Sequence, residues 1–136
     1  MALIVWNEGR YGVNIKEIDN QHKQLVDVIN LLQSAMSEGK GKQVLGEILG
    51  DMAQYAKGHF ATEEKIMKTN GYSGYDDQKK EHDAFVAKAV ALKTDFDGGR
   101  ITLSVDTLTF LKNWLDGHIA NEDQKYSSFL NAKGVV

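Results

Sequence analysis

The residues of this 136-residue chain that are best placed to do chemistry are His59 and Glu63. On a helix, two residues four apart are separated by roughly 40° around the axis, so the imidazole and the carboxylate point the same way. Apolar residues recur at helical spacing around the pair, on the face that a helix buries: Met52, Tyr55, Ala56, Ile66 and Met67. The pair alone leaves two interpretations open: a metal-binding edge, or a core histidine hydrogen-bonded to a glutamate.

The other three histidines also fall on apolar helix faces, each in a different segment. Their apolar companions are Leu25, Val28 and Ile29 for His22, Phe85, Val86 and Ala89 for His82, and Leu111 and Leu115 for His118. Gln78 sits four residues before His82 and shares its side. Asp123 follows His118 by five residues, which is roughly 140° around an ideal helix. These two can cooperate if the helix widens locally, or if the carboxylate reaches sideways to bridge two ions.

Helices must position these residues, because the chain has no proline and no long alternation of β-branched residues. The apolar periodicity predicts helices over about residues 19–37, 42–69, 74–96 and 104–130, after an arm of residues 1–18. The signals for the helix ends are Asp19, the pair Ser73 and Asp76, and Ser104 as N-terminal caps, and Asn70–Gly71 as a C-terminal stop. Short connections then predict a single all-α domain over residues 1–136, an up-down-up-down antiparallel four-helix bundle.

Antiparallel packing would bring the four histidines to one level of such a bundle. His22 lies near the start of the first helix, His59 near the end of the second and His82 near the start of the third, while His118 fits this level less neatly. Imidazole and carboxylate ligands without sulfur suit iron, manganese or zinc. Together with Glu63 and Asp123, four imidazoles exceed what one tetrahedral zinc ion takes, so the sequence favours two ions bridged by carboxylates.

The composition excludes several classes of protein. The absence of cysteine rules out disulfides, thiolate metal sites and cysteine nucleophiles. A net charge of −3 with interspersed signs gives no reason to expect nucleic acid or an anionic membrane as a partner. No segment has the length of a membrane span or the pattern of a signal peptide. We therefore expect a soluble cytoplasmic protein, and we expect it to be a monomer.

The order of these residues resembles the hemerythrin family, specifically the single-domain bacteriohemerythrins. The resemblance is carried by His22, His59-x3-Glu63, the four-spaced pair ending in His82, and His118-x4-Asp123. The surrounding strings Ile18-Asp19-Asn20-Gln21-His22 and Trp114-Leu115-Asp116-Gly117-His118-Ile119 fit the family as well, and the resemblance covers nearly the whole chain. It implies a non-haem di-iron centre that binds dioxygen reversibly, and therefore an oxygen storage, transport or delivery protein rather than an enzyme.

The resemblance also implies a role for each site residue. His22 and His59 would hold the iron that keeps an open position, His82 and His118 the other iron, and the two carboxylates of Glu63 and Asp123 would bridge, with an oxo or hydroxo bridge between the irons. The residues that stand where the family keeps an apolar oxygen pocket are Phe60, Trp114 and Leu115. Without the resemblance, these three residues indicate ordinary core packing.

Gln78 departs from the family pattern, which has a histidine at this position. A neutral amide oxygen is a poorer donor than imidazole, so the second iron would lose a strong ligand. Either Gln78 coordinates weakly through its oxygen, or water takes the position and Gln78 hydrogen-bonds to it. We expect the di-iron site to assemble but to hold oxygen less durably, with faster oxidation to the ferric state than in a Gln78→His variant.

Three other functions compete with oxygen binding. A di-iron peroxidase or oxidase would use the same metals, and the missing ligand at Gln78 favours it. A module for metal storage or for sensing oxygen or iron lacks an iron-entry acid cluster and the Glu-x-x-His pairs of ferritin-like bundles. A metal-free bundle with buried histidines is the simplest alternative. A protein that accepts the oxygen is compatible with the sequence, which does not identify one.

Overall fold

The computed structural model describes residues 4–136, and every regular element in that range is helical. The elements are α1 (Glu8–Tyr11), α2 (Lys16–Ser37), α3 (Lys42–Thr69), α4 (Tyr75–Asp97), α5 (Val105–Gly117), a π-helical segment (His118–Glu122) and α6 (Asp123–Ala132). The π segment continues directly from α5 into α6, so these three elements form the fourth long helix. The chain is therefore all-α, and the predicted four-helix bundle is confirmed.

The first long helix begins earlier than the sequence predicted. It starts at Lys16, within the range assigned to the arm, and the arm itself contains the single turn α1. Asp19 was expected to cap this helix but lies inside it, where its carboxylate accepts a hydrogen bond from the Val13 amide at 2.9 Å. The predicted Ser73–Asp76 cap is also wrong, because Gly74 takes the N-cap position without a side-chain hydrogen bond. Residues 1–3 of the predicted arm lie outside the described residues.

Other predicted helix ends are confirmed. Ser104 caps α5 by accepting a hydrogen bond from the Thr107 amide at 3.2 Å. Gly71 ends α3 with a φ of +72°, a left-handed conformation that glycine adopts without a steric penalty.

No helix of residues 4–136 has both the length and the apolar character needed to cross a membrane.

Hydrogen bonds hold the described part of the arm against the bundle at two places. The Ile4 amide donates to Asn30 Oδ1 at 2.9 Å, and Asn30 Nδ2 donates to the Ile4 carbonyl at 2.8 Å. Further along, Arg10 donates to both carboxylate oxygens of Asp116, and the Tyr11 hydroxyl donates to one of them. Since Asp116 lies just before the π segment, the arm supports the part of the fourth helix that carries His118.

The interior contains two apolar clusters with polar side chains between them. The larger cluster includes Leu25 on α2 and Ala56 on α3, and the smaller includes Ile18 on α2 and Met67 on α3. Along both helices, the buried histidines and Glu63 occur between these positions. The polar residues of the candidate site therefore form a layer that apolar packing closes off on both sides.

Candidate metal centre

The six residues predicted as metal ligands come together in the interior of the bundle. Within residues 4–136, two groups have ligand atoms that all lie within 4.8 Å of one another: His22, His59 and Glu63 in the first group, and His82, His118 and Asp123 in the second. None of the six side chains belongs to a residue more than 4% exposed. The four helices thus bring the predicted residues into two buried groups rather than scattering them.

The first group is built from α2 and α3. His59 Nε2 lies 2.5 Å from Glu63 Oε1, as their spacing of four residues on one helix predicted. His22 reaches the same carboxylate from α2, with its Nε2 at 3.7 Å from Glu63 Oε1. The other oxygen of this carboxylate, Oε2, accepts a hydrogen bond from the Tyr126 hydroxyl at 2.5 Å. Glu63 is therefore fixed from both sides.

The second group joins α4 to the fourth helix. The Nε2 atoms of His82 and His118 face each other at 3.0 Å, and His118 Nε2 lies 3.1 Å from Asp123 Oδ1. The second oxygen of this carboxylate, Oδ2, lies 3.1 Å from His22 Nε2 in the first group. Asp123 therefore reaches both groups, one with each carboxylate oxygen.

The π segment explains how His118 and Asp123 can cooperate although five residues separate them. In this segment the Asp123 amide donates to the carbonyl of His118, so the backbone turn is wider than an α-helical turn by one residue. The widening offsets the roughly 140° rotation of an ideal helix and turns both side chains to the interior. The local widening that the sequence left open as one solution is confirmed.

Three of the four imidazoles have a hydrogen-bond acceptor on the ring nitrogen that faces away from the site. The pairs are His59 Nδ1 with Gln21 Oε1 at 2.6 Å, His82 Nδ1 with Glu64 Oε2 at 2.9 Å, and His118 Nδ1 with Glu81 Oε1 at 3.1 Å. An acceptor at Nδ1 keeps the proton there and leaves the Nε2 lone pair for the interior of the site.

Sequence reasoning gave these acceptors no role. Each acceptor is adjacent in sequence to a candidate ligand other than the histidine that it holds. Gln21 precedes His22, Glu64 follows Glu63 and Glu81 precedes His82. This adjacency was the available signal, since a residue beside an inward-facing ligand is placed to reach a ligand on the neighbouring helix.

The electrostatics of the group reflect charges held close together away from water. Burial lowers the pKa of His22, but the neighbouring carboxylates of Asp123 and Glu63 raise it more, to about 10. His118 behaves similarly beside Asp123, and its pKa rises to about 9. Burial dominates at His82 and lowers its pKa.

The carboxylates respond in the opposite direction. Burial raises the pKa of Glu63, but the positive charges of His59 and His22 outweigh it and hold this pKa well below the ordinary range. The pKa of Asp123 is also lowered, since His118 and His22 outweigh burial and the repulsion from Glu63. Both acids are therefore ionised at neutral pH, as metal ligands must be.

Gln78 lies within the same buried layer, 2% exposed. Its Nε2 donates to the Glu122 carbonyl at 3.0 Å and to Asp123 Oδ1 at 3.2 Å. A carbonyl oxygen can only accept, so this contact fixes which end of the amide carries the nitrogen. The amide oxygen, Oε1, is buried and makes no hydrogen bond with the described residues.

The residues predicted to form an apolar pocket pack mainly on the second group. The Phe60 ring stacks on His82 at 4.0 Å between centroids with 7° between the planes, and Trp114 stacks on His118 at 4.6 Å and 10°. Phe60 also approaches His59 at 5.6 Å. Leu115 is buried in the larger apolar cluster. These contacts place aromatic surface against the imidazoles.

The donor set fits a pair of metal ions. Several polar atoms of the site are buried and make no hydrogen bond with the described residues: both ring nitrogens of His22, His59 Nε2, Glu63 Oε1, Gln78 Oε1 and Asp123 Oδ2. Two unprotonated Nε2 atoms facing each other at 3.0 Å repel unless a cation or a proton lies between them, as at His82 and His118. Nitrogen and carboxylate oxygen donors without sulfur suit iron or manganese.

Comparisons with known proteins agree with the fold and with a cation-binding domain. Residues 13–130 match the model of the hemerythrin HHE cation binding domain. The chain is 33% identical to a bacteriohemerythrin of Methylococcus capsulatus over 132 residues, which cover 97% of this chain and 100% of that protein. It is 34% identical to a bacteriohemerythrin of Pseudomonas paraeruginosa over 126 residues, covering 93% of this chain and 80% of that protein.

Solved structures give the same result. The crystal structure of a wild-type hemerythrin matches with a TM-score of 0.90 at 32% identity, covering 95% of this chain and 98% of that one. The crystal structure of a hemerythrin mutant with one leucine replaced by alanine matches with a TM-score of 0.91 at 32% identity, covering 96% of this chain and 98% of that one.

Proposed function

Because the chain belongs to the hemerythrin family, we propose that it binds dioxygen reversibly at a non-haem di-iron centre and serves in oxygen storage, transport or delivery. The observation that carries this proposal is the arrangement of six buried ligand residues in two adjoining groups. Asp123 contributes one carboxylate oxygen to each group, as a bridging ligand would.

In this proposal each ion has its own imidazoles. His22 and His59 would hold one iron, which keeps an open position, and His82 and His118 would hold the other. Glu63 and Asp123 would bridge them, with an oxo or hydroxo bridge completing the pair. When bound, two ferrous ions supply the electrons with which dioxygen is taken up reversibly.

The protein's own residues hold the side chains of this site in a fixed arrangement. Gln21, Glu64 and Glu81 accept hydrogen bonds from three of the imidazoles, which orients the rings. Tyr126 donates a hydrogen bond to Glu63 and so holds the carboxylate in place. No step of reversible binding requires an external general acid or base, so we propose a binding protein rather than an enzyme.

The aromatic side chains supply the apolar surroundings. Phe60 and Trp114 stack on the imidazoles of His82 and His118, Phe60 also approaches His59 at 5.6 Å, and Leu115 is buried in the larger apolar cluster. Since apolar surroundings keep water and its protons away from a bound ligand, we propose that these three residues prolong the oxygenated state.

Metal analysis and oxygen exposure together test the proposal. Protein purified without chelator should contain two irons per chain. When the reduced protein is mixed with oxygen in a stopped-flow instrument, its optical spectrum should change. Lowering the oxygen pressure should reverse that change.

A Glu63→Gln variant should lose the spectral change, whereas Glu47→Gln, at an exposed position on the same helix, should keep it. Protein without iron, or turnover of peroxide or a reductant in place of release, would contradict oxygen carriage.

A further inference from the structure

The amide of Gln78 is held in one orientation by its nitrogen. The two acceptors of Nε2, the Glu122 carbonyl and Asp123 Oδ1, lie at 3.0 and 3.2 Å. Asp123 Oδ1 is also the oxygen that lies 3.1 Å from His118 Nε2. Gln78 therefore supports a ligand carboxylate through a hydrogen bond, which is the usual contact of a residue outside the coordination shell.

The opposite end of the amide has no such contact. Gln78 Oε1 is buried within the polar layer and makes no hydrogen bond with the described residues. A buried carbonyl oxygen without a partner costs free energy, so a hydrogen-bond donor at this position would stabilise the protein. An amide oxygen accepts but cannot donate, and this restricts the kind of ligand that it can hold.

The second group is also poorer in protein ligands than a metal ion with six-fold coordination requires. His82 and His118 provide two nitrogens and Asp123 provides one carboxylate oxygen, and a bridging Glu63 and the oxo or hydroxo bridge proposed above would still leave one position unfilled. A neutral amide oxygen competes weakly for an ion that imidazole and carboxylate already bind. The position beside Gln78 is therefore open to a small exchangeable ligand.

We propose that Gln78 Oε1 accepts a hydrogen bond from a small protic ligand, water in the resting protein, that occupies an exchangeable position on the ion held by His82, His118 and Asp123. This proposal rests on the di-iron centre proposed above. It gives that centre an exogenous-ligand position on each ion, the one beside Gln78 being selective for ligands that carry a proton. A bare anion such as azide would meet the lone pairs of the amide oxygen and be disfavoured there.

Water-proton relaxation in the manganese-loaded protein tests the proposal. Manganese(II) accepts the same nitrogen and oxygen ligands as iron(II), and its paramagnetism shortens the relaxation time of each water that exchanges through its coordination shell. The wild-type protein should show the relaxivity of about two exchangeable waters per chain, and Gln78→His, which adds an imidazole ligand, about one. Gln78→Leu, which removes the acceptor without adding a ligand, should keep about two.

A different pattern would overturn the proposal. If Gln78 itself coordinates through Oε1, Gln78→Leu will raise the relaxivity above that of the wild type, and Gln78→His will leave it unchanged. In the wild-type protein, saturating azide should displace water only from the ion held by His22 and His59, and so remove about half of the relaxivity. In Gln78→His, where the water beside residue 78 is already replaced, azide should remove nearly all of the relaxivity. Azide that removes all of the wild-type relaxivity would overturn the selectivity for protic ligands.

Metal content separates this proposal from the one on which it rests. Elemental analysis of each manganese-loaded variant, with circular dichroism as the check on folding, gives the number of ions per chain. Fewer than two ions in the wild-type protein would count against the di-metal centre itself. Two ions in every variant, with equal relaxivity in the wild type and Gln78→His, would contradict only the role of Gln78.

Discussion

At the scale of single residues, the acceptors behind the imidazoles determine how well the site is prepared for metal. Glu64 lies on α3 and holds His82 of α4, while Glu81 lies on α4 and holds His118 of the fourth helix. Each contact thus fixes a ring on the neighbouring helix. An imidazole that loses such a contact can rotate and change tautomer, and both changes weaken its binding to a metal.

We therefore expect Glu64→Ala and Glu81→Ala to lower the affinity for iron(II) by roughly 10-fold to 100-fold each. Competition with a chromophoric chelator measures the affinity. Glu47→Ala is the matched control, since Glu47 is an exposed acid on the same helix as Glu64. Equal affinities in all three variants would show that the hydrogen bonds to His82 and His118 do not orient the ligands.

Tyr126 performs a comparable task for a carboxylate. Its side chain is fully buried and its hydroxyl donates to Glu63 Oε2 at 2.5 Å. Burial raises the pKa of Tyr126 well above its ordinary value, and the charges of Asp123 and Glu63 raise it further, so the hydroxyl keeps its proton and remains a donor.

Removing this hydroxyl in Tyr126→Phe should lower the free energy of unfolding by about 1–3 kcal/mol, because the buried oxygen of Glu63 loses its donor. Urea unfolding of the metal-free protein measures the change. Tyr55→Phe, at a half-buried tyrosine on α3, is the control and should change the free energy by less than about 0.5 kcal/mol. A change at Tyr126 no larger than that at Tyr55 would contradict the proposed support of Glu63.

At the scale of elements, apolar periodicity predicted the helices better than local signals predicted their ends. Packing of the apolar faces fixes each helix over many residues, whereas a cap depends on one side chain. Asp19 shows the difference, since its carboxylate binds the arm amide of Val13 rather than an amide of its own helix. Ile15, a residue without a capping side chain, precedes α2 instead. A sequence does not reveal which of two nearby amides a carboxylate will bind.

The π segment shows what spacing can and cannot predict. The separation of His118 and Asp123 indicated that something must offset the rotation of an ideal helix. It did not distinguish a wider turn from a carboxylate that reaches sideways. The structure contains both features, because the turn is widened and Asp123 contacts His22 as well as His118.

Glycine in α3 provides a prediction at this scale. Gly58 lies in the interior of the helix, and a Cβ added there would meet no heavy atom within 4 Å. Gly58→Ala should therefore raise the free energy of unfolding by about 0.5–1 kcal/mol, because alanine loses less conformational freedom in a helix. Thermal and urea unfolding of the two proteins measure the difference.

Gly46 provides the contrast within the same helix. It is buried, and an added Cβ would lie 3.1 Å from Asp97 Oδ1 and 3.5 Å from the Phe96 ring. Gly46→Ala should gain less stability than Gly58→Ala, or lose some, because the Asp97 carboxylate, which pairs with Lys93, must shift to make room. Equal gains at both positions would mean that close packing between α3 and α4 does not restrict Gly46.

At the scale of the whole molecule, the site is a polar layer enclosed by apolar clusters. The six candidate ligand residues could be picked out from the sequence because each of them interrupts an apolar stripe, where a polar side chain is unusual. The glutamine and glutamate acceptors could not be predicted in this way, since they lie at the partly exposed flanks where charged residues are ordinary. Their role depends on the angle between neighbouring helices, which periodicity along one helix does not contain.

The enclosed layer also links the stability of the metal-free protein to pH. His22 and His118 have folded-state pKa values of about 10 and about 9, above the ordinary value of 6.5. The folded protein therefore binds more protons than the unfolded chain in the alkaline range, and its stability falls as pH rises. This contribution is fully present below pH 6.5 and is lost as pH rises through the folded pKa values of these two histidines.

The free energy of unfolding of the metal-free protein should thus fall by at least about 1 kcal/mol between about pH 6 and pH 9. Urea unfolding across this range measures the profile, and pH 9 stays below the main titration of lysine and tyrosine. His22→Gln should flatten the profile, because it removes one of the two titrating imidazoles. The metal-loaded protein should show the opposite trend, since neutral imidazoles bind metal and its affinity rises with pH. A metal-free profile that stays level or rises would contradict the pairing of these imidazoles with Asp123 and Glu63.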